Sequence, residues 1–180
     1  MDIDFLRNVS LFKGLNEEGL EALAELCFTR EFAKEGLIIL AEQEGDTLFI
    51  IREGQVKVCI SSEEGREVIL SLLGPGAVFG ELALLDGKLR SANVVATDDT
   101  SLIMLRRSDF QQLVYKTPQI AMALLAELAG RLRRTDRQIE GLALLDVTSR
   151  ISETLLQLAD DQGKETAEGI AIDSRPTHQD

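Results

Sequence analysis

The side chains with the most chemical promise lie in one run, Phe79-Gly-Glu-Leu-Ala-Leu-Leu-Asp-Gly-Lys-Leu-Arg-Ser-Ala92. Small residues, Gly80 and Ala83, flank Glu81 and Leu82 in a stretch that suits one short turn of helix. Free backbone N–H groups at such a turn converge on an anion. Nine residues after Glu81 come Arg90 and Ser91, at the expected start of a strand. A guanidinium holds two oxygens of a phosphodiester in a fork, and a hydroxyl adds a third contact. The Glu81 carboxylate is a poor phosphate neighbour but a good acceptor for a sugar hydroxyl. Phosphate and sugar hydroxyl together describe a nucleotide. One arginine suits a singly charged cyclic phosphate better than a triphosphate, and the chain has no G-x-x-x-x-G-K-[ST] loop to cradle the latter.

The elements that must position this run follow from pattern. Asn16 is an N-cap with Glu17 and Glu18 in the first turn, and Leu20, Leu23, Ala24 and Cys27 share a face, so a short helix is expected from Glu17 to about Cys27. From Phe28 to Arg106 short β-rich runs alternate with glycines. They include Asp46-Thr-Leu-Phe-Ile-Ile, Gln55-Val-Lys-Val-Cys-Ile, Glu67-Val-Ile-Leu-Ser-Leu-Leu, Ala92-Asn-Val-Val-Ala and Ser101-Leu-Ile-Met-Leu. Regular short strands without intervening helices predict an antiparallel β-roll or jelly roll.

Helices return after the strands. Ser108-Asp-Phe-Gln111 is a capping box that opens a helix to about Tyr115, and Thr117-Pro118 is a second start. No strong breaker follows until Asp146, giving a helix of about 42 Å at 1.5 Å per residue. Leu125, Leu128, Leu132, Thr135, Ile139 and Leu142 fall at alternating spacings of three and four, the seam of a two-stranded coiled coil. Thr135 is the polar exception on that seam. Asp146 caps a further helix, and a polar stretch from Asp160 to Glu168 precedes a strand-like Gly-Ile-Ala-Ile. The last six residues read as the start of another helix capped by Thr177, so the chain is expected to be a truncation.

Composition removes several function classes. The chain has 180 residues, enough for one substantial core with some excess. A net charge of −12 argues against nucleic-acid binding by this segment itself, yet leaves room for a small anion that needs one well-placed cation. The single histidine, His178, leaves no histidine metal site, Ser-His or Cys-His nucleophile or haem ligand within the fold, and points away from an enzyme. Cys27 and Cys59 are too few for a disulfide framework, which points to a reducing cytoplasm and to a core role for both. The acidic Met-Asp-Ile-Asp start is unlike an export signal, and no apolar run has the length of a membrane span.

The run from Phe79 to Ala92 resembles the phosphate-binding cassette of cyclic-nucleotide-binding domains. Gly45-Asp-Thr-Leu-Phe-Ile-Ile-Arg-Glu-Gly-Gln-Val is similar to that family's strand–turn–strand signature. The remainder resembles the catabolite activator (CRP/FNR) branch of bacterial transcription regulators. Leu142-Ala-Leu-Leu-Asp-Val-Thr-Ser-Arg150 matches its hinge, and Arg175-Pro-Thr-His-Gln-Asp180, a weaker signal, the entry to its winged helix-turn-helix.

The resemblance implies an α+β chain. It comprises a cyclic-nucleotide-binding roll over 1–116, a dimerisation helix over 117–145, and a hinge with an incomplete winged helix-turn-helix over 146–180. Arg90 and Ser91 would bind the cyclic phosphate with backbone N–H groups of Gly80, Glu81, Leu82 and Ala83. Glu81 would accept from the ribose 2′-hydroxyl, Thr135 and Asp136 would meet the base, and Arg131 would approach the phosphate. The implied effector is cyclic AMP, with cyclic GMP the alternative, and no metal, haem or iron–sulfur cluster. The implied partners are a second copy of the chain and, for the intact protein, DNA and RNA polymerase.

One departure bears on the base. The family pattern has a hydroxyl residue after the threonine, where this chain has Asp136, and a carboxylate matches the two adjacent donors of guanine better than adenine. The bland reading of Asp136 is solvent, or a pair with Arg133 or Arg137. Residue types bear on the other readings. A cupin-type enzyme needs a histidine cluster, and an iron–sulfur sensor needs about four cysteines. A regulatory domain of a kinase or channel lacks the hinge and terminal hexapeptide. A relative without a ligand, in which Glu81 and Arg90 form an ordinary ion pair, stays open on sequence alone.

Overall fold

A computed structural model of the chain describes residues 2–62, 64–144, 149, 151, 152, 155, 156, 158, 159, 163–166 and 169–172. The chain divides into two compact units, Met1–Leu125 and Ala126–Asp180, taken separately below. The hinge expectation at Asp146 and the terminal hexapeptide, with the truncation inferred from it, lie outside the described residues.

The first unit opens with α1 (Ile3–Asn8), a 3₁₀ turn (Ser10–Phe12) and α2 (Glu17–Leu26). The Asp2 carboxylate caps α1, and the Asn16 side chain accepts from the Gly19 N–H at 2.9 Å, so the expected N-cap forms. The strands are β1 (Phe28–Phe32), β2 (Leu37–Ile39), β3 (Thr47–Glu53), β4 (Val56–Ser61), β5 (Glu67–Leu73), β6 (Val78–Phe79), β7 (Asn93–Ala96) and β8 (Thr100–Arg106). Between β6 and β7 lies α3 (Glu81–Asp86). Two helices follow β8, α4 (Arg107–Lys116) and α5 (Gln119–Leu144), and α5 runs across the boundary between the units.

All pairings are antiparallel, and the strands form two sheets ordered β1-β8-β3-β6 and β2-β7-β4-β5. This is the expected jelly roll. Ile39, Val56 and Val94 of one sheet and Phe49, Ile51, Phe79, Leu102 and Met104 of the other make the core. Side chains alternate faces along a strand, so Leu48, Ile50, Ile103 and Leu105 lie on the opposite face of the first sheet. They are fully buried as well. Helices α3 and α4 pack against β3, and α4 also against β8. Covered on both faces, β3 carries a continuous apolar run in place of strict alternation.

Two expectations about element starts are corrected. The capping box at Ser108 does not form: α4 begins at Arg107, no side chain caps it, and the Ser108 hydroxyl meets the Asp109 carboxylate at 3.3 Å. The first free N–H of α4 is satisfied from the roll, where Arg107 N–H donates to the Asp46 carbonyl at 2.6 Å. Arg90 and Ser91 precede β7 rather than opening it, since that strand starts at Asn93. In the second unit, β9 (Gly163–Thr166) pairs with β10 (Gly169–Ile172), so the expected Gly-Ile-Ala-Ile strand forms with a partner from the polar stretch before it.

Candidate functional site

The cassette starts where β6 ends. Gly80 adopts the left-handed conformation at φ 79° and opens α3, and a Cβ there would sit 2.7 Å from Nη1 of Arg90 and 3.2 Å from the Thr47 carbonyl. Only glycine satisfies both the angle and the space. Gly87, at φ 71°, closes α3 as its N–H donates to the Ala83 carbonyl at 3.2 Å. The Lys88 N–H then meets the Asp86 carboxylate at 3.0 Å, turning the chain toward Arg90.

Main-chain bonds fix Arg90 on both sides. Its N–H donates to the Gln43 carbonyl and its carbonyl accepts from the Glu42 N–H, each at 2.8 Å. Glu42 holds φ 63°, a left-handed conformation that costs a non-glycine residue about 1 kcal/mol or more. This pairing ties Arg90 to the β2–β3 connection, where Gly45 makes the closest approach. A Cβ on Gly45 would lie 2.0 Å from Nε of Arg90.

The Arg90 side chain is 8% exposed. Nη1 donates to the Gly80 carbonyl at 2.6 Å and Nη2 to the Thr47 carbonyl at 2.8 Å. The guanidinium carbon stands 5.7 Å from the centre of the Phe49 ring, which stacks on Phe79 at 5.1 Å. Burial pushes the Arg90 guanidinium below its ordinary value; Asp46 opposes this, Arg107 adds to it and Glu81 opposes it. Glu81 is buried at 2% exposure, and Ala83 is buried with it. Leu82 and Ser91 are exposed. The structure therefore brings Arg90 against Gly80 at the start of α3, with Glu81 and Ala83 buried and Leu82 and Ser91 exposed.

The other three candidates sit on α5 in the second unit. Arg131 pairs with Glu127, one turn earlier, at 2.5 Å. The Thr135 hydroxyl donates to the Arg131 carbonyl at 3.1 Å, the back-bond typical of threonine inside a helix. Asp136 is exposed.

Sequence reasoning missed Arg107. Its Nη2 donates to the Gly45 carbonyl at 2.8 Å and to the Ala83 carbonyl at 2.7 Å. The hint in the sequence is the doubled arginine where β8 ends. Beside it, a cleft of about 410 Å³ is walled by Glu44–Asp46, Gly87–Leu89 and Arg107. Burial raises the Cys27 thiol to about 12 and the Cys59 thiol to about 11, so both stay protonated and unreactive near neutrality. Among the described residues no group of three or more His, Cys, Asp or Glu side chains could hold a metal ion.

Comparison with known proteins supplies the context for this geometry. The cyclic nucleotide-binding domain family matches residues 29–116. The chain is 39% identical over 141 residues to the cAMP-activated global transcriptional regulator CRP of Pasteurella multocida, covering 78% of this chain and 68% of that one. It is 38% identical over 150 residues to the regulator of the same name in Escherichia coli O6:H1, covering 83% and 71%. The crystal structure of the Thermus thermophilus catabolite activator protein superposes with a TM-score of 0.65 at 27% identity, covering 91% of this chain and 93% of that one. By these likenesses the chain belongs to the CRP/FNR-like family of transcription regulators with a cyclic nucleotide-binding domain.

Proposed function

We propose that the chain is the effector-binding and dimerisation part of a transcription regulator, and that its effector is cyclic AMP. The observation that carries this reading is the state of Arg90. Its guanidinium is nearly buried, and among the described residues its side-chain hydrogen bonds go to two neutral carbonyls. Removing a cation from water is expensive unless an anion compensates it. Asp46 and Glu81 favour the Arg90 charge from nearby, and a phosphodiester would add an anion in direct contact with the guanidinium. Arg90 and the neighbouring N–H groups of Gly80 to Ala83 hold the cyclic phosphate, Ser91 adds a hydroxyl, and Glu81 takes the ribose 2′-hydroxyl.

The base meets Thr135 and Asp136, and Arg131 approaches the phosphate. Thr135 would give up its bond to the Arg131 carbonyl to reach the base. Bound ligand favours one arrangement of that helix and of the hinge at Asp146. The apolar stripe of α5 supports dimerisation through 117–145, for Leu125, Leu132 and Ile139 are more than half exposed in the single chain. In the intact protein this would set the spacing of two DNA-reading helices on half-sites one helical turn apart and present them to RNA polymerase. The setting is the cytoplasm; no described helix is long and apolar enough to cross a membrane. A second reading, cyclic GMP as effector, is favoured by one observation: Asp136 is exposed and offers a carboxylate for the two donors of guanine.

Thermal melting tests the reading. A ligand at a hundred times its dissociation constant stabilises the folded state by about 2.7 kcal/mol. Cyclic AMP should raise the melting temperature by several degrees, and cyclic GMP by less. No shift at millimolar concentrations of either would refute the function.

A further inference from the structure

We propose that Arg107 is a positioning residue for the cassette, holding α3 and the Gly45–Asp46 connection at the separation that places Arg90 for phosphate. The proposal rests on the cyclic-nucleotide reading above.

Arg107 is the first residue of α4, outside both the cassette and the strand signature. Its Nη2 bridges two carbonyls that belong to different segments, Gly45 at 2.8 Å and Ala83 at 2.7 Å. Its main-chain N–H adds a third tie, to the Asp46 carbonyl at 2.6 Å. Arg90 grips neighbouring points of the same two segments, the Gly80 and Thr47 carbonyls. Two guanidinium groups thus span one gap, one at the opening of α3 and the other a turn further on.

The tolerance at this gap is small. Arg90 passes Gly45 so closely that a single added carbon would overlap Nε. A shift of the Gly45 segment toward the cassette therefore displaces the arginine itself. The Ala83 carbonyl already accepts the closing N–H of α3 from Gly87, so the Arg107 bond is not needed merely to satisfy that helix end. A scaffold role alone would be served as well by a neutral donor, yet a second cation stands near enough to Arg90 to oppose its charge. Asp46 and Glu81 offset that repulsion in part, and a ligand anion between the segments would offset more of it.

Arg107→Gln and Arg107→Lys test the proposal in the full chain, by calorimetric titration with cyclic AMP and its two phosphorothioate diastereomers. Glutamine removes the charge; lysine keeps it but loses the planar reach to two carbonyls. Both variants should bind cyclic AMP at least tenfold more weakly. Both should also discriminate less between the diastereomers, which differ only in which phosphate oxygen is sulfur. A merely structural role would lower the melting temperature of the unliganded variant and leave the diastereomer preference intact. If Arg107→Gln does not fold, Arg107→Lys decides. Unchanged affinity or unchanged preference in a folded variant, with wild type binding normally, overturns the role of Arg107 alone. Failure of wild type to bind either cyclic nucleotide overturns the proposed function and this inference with it.

Discussion

Arg90 and the outward stripe of α5 occupy opposite surroundings, and each is the reverse of what water alone would select. Arg90 is a cation where solvent is scarce, at 8% exposure, bonded to two main-chain carbonyls. Leu125, Leu132 and Ile139 are hydrocarbon where solvent is plentiful, each more than half exposed. Taking a cation out of water and leaving a row of aliphatic side chains in it both cost free energy. On the proposed function each region is half of an interaction: a ligand anion would complete the first, and a second helix of the same kind the second. The cassette is also closely tailored, since a Cβ at Gly45 or Gly80 would collide with the Arg90 guanidinium. The stripe has no such tailoring beyond its spacing.

The largest effect should come from breaking the cassette half. Arg90→Leu removes the cation that pairs with a desolvated phosphate, at a loss of several kcal/mol, about a hundredfold or more in affinity. The α5 stripe should be unmoved, so equilibrium sedimentation should report the same assembly as wild type. A variant that binds cyclic AMP with full affinity would remove Arg90 from the site.

The complementary break is Leu132→Asp. A carboxylate on each face of the seam must be desolvated on association, a cost of several kcal/mol for each ion in a low-dielectric setting. Sedimentation should then show monomers at micromolar concentration, while the roll stays folded by circular dichroism. A dimer that survives this change would place the interface elsewhere.

Gly45→Ala is gentler. Its Cβ would meet Nε at 2.0 Å, and the guanidinium must leave its place. Affinity should fall by about tenfold, with a stability loss within the 1–3 kcal/mol range of overpacking. Unchanged binding would mean that the fixed position of Arg90 is dispensable.

Asp136→Ser should have the smallest effect. If the carboxylate meets the base, the ratio of cyclic AMP to cyclic GMP affinity should shift toward cyclic AMP by less than tenfold, about 1 kcal/mol. An equal ratio in variant and wild type would leave Asp136 to solvent.

Much of the fold could be read from residue order, because the strong signals were local. Asn16 caps α2, and the run at Leu48–Ile51 reads as a strand for its β-branched and aromatic content. The elements that escaped lack local signals. The two-residue β6 is too short for any period, and β1, Phe-Thr-Arg-Glu-Phe, is mostly exposed and polar at its centre. The misplaced start of α4 has a tertiary cause, for the Asp46 carbonyl, some sixty residues away in sequence, takes the Arg107 N–H and the helix opens one residue before Ser108. Within the candidate site, Gly80, Glu81 and Arg90 were legible since spacing and residue type repeat a known pattern. Arg107 was not, because its partners are main-chain carbonyls, and any residue supplies those. Which residue receives an arginine's hydrogen bonds is a property of the fold and leaves no mark in composition.

Calorimetric titration of the wild-type chain with cyclic AMP, with Arg90→Leu alongside, tests most directly whether the Arg90 guanidinium binds a cyclic phosphate. Wild type should bind saturably at one site per chain, and the variant should give a flat titration. Equal heats in the two proteins, or none in wild type at millimolar ligand, would contradict this.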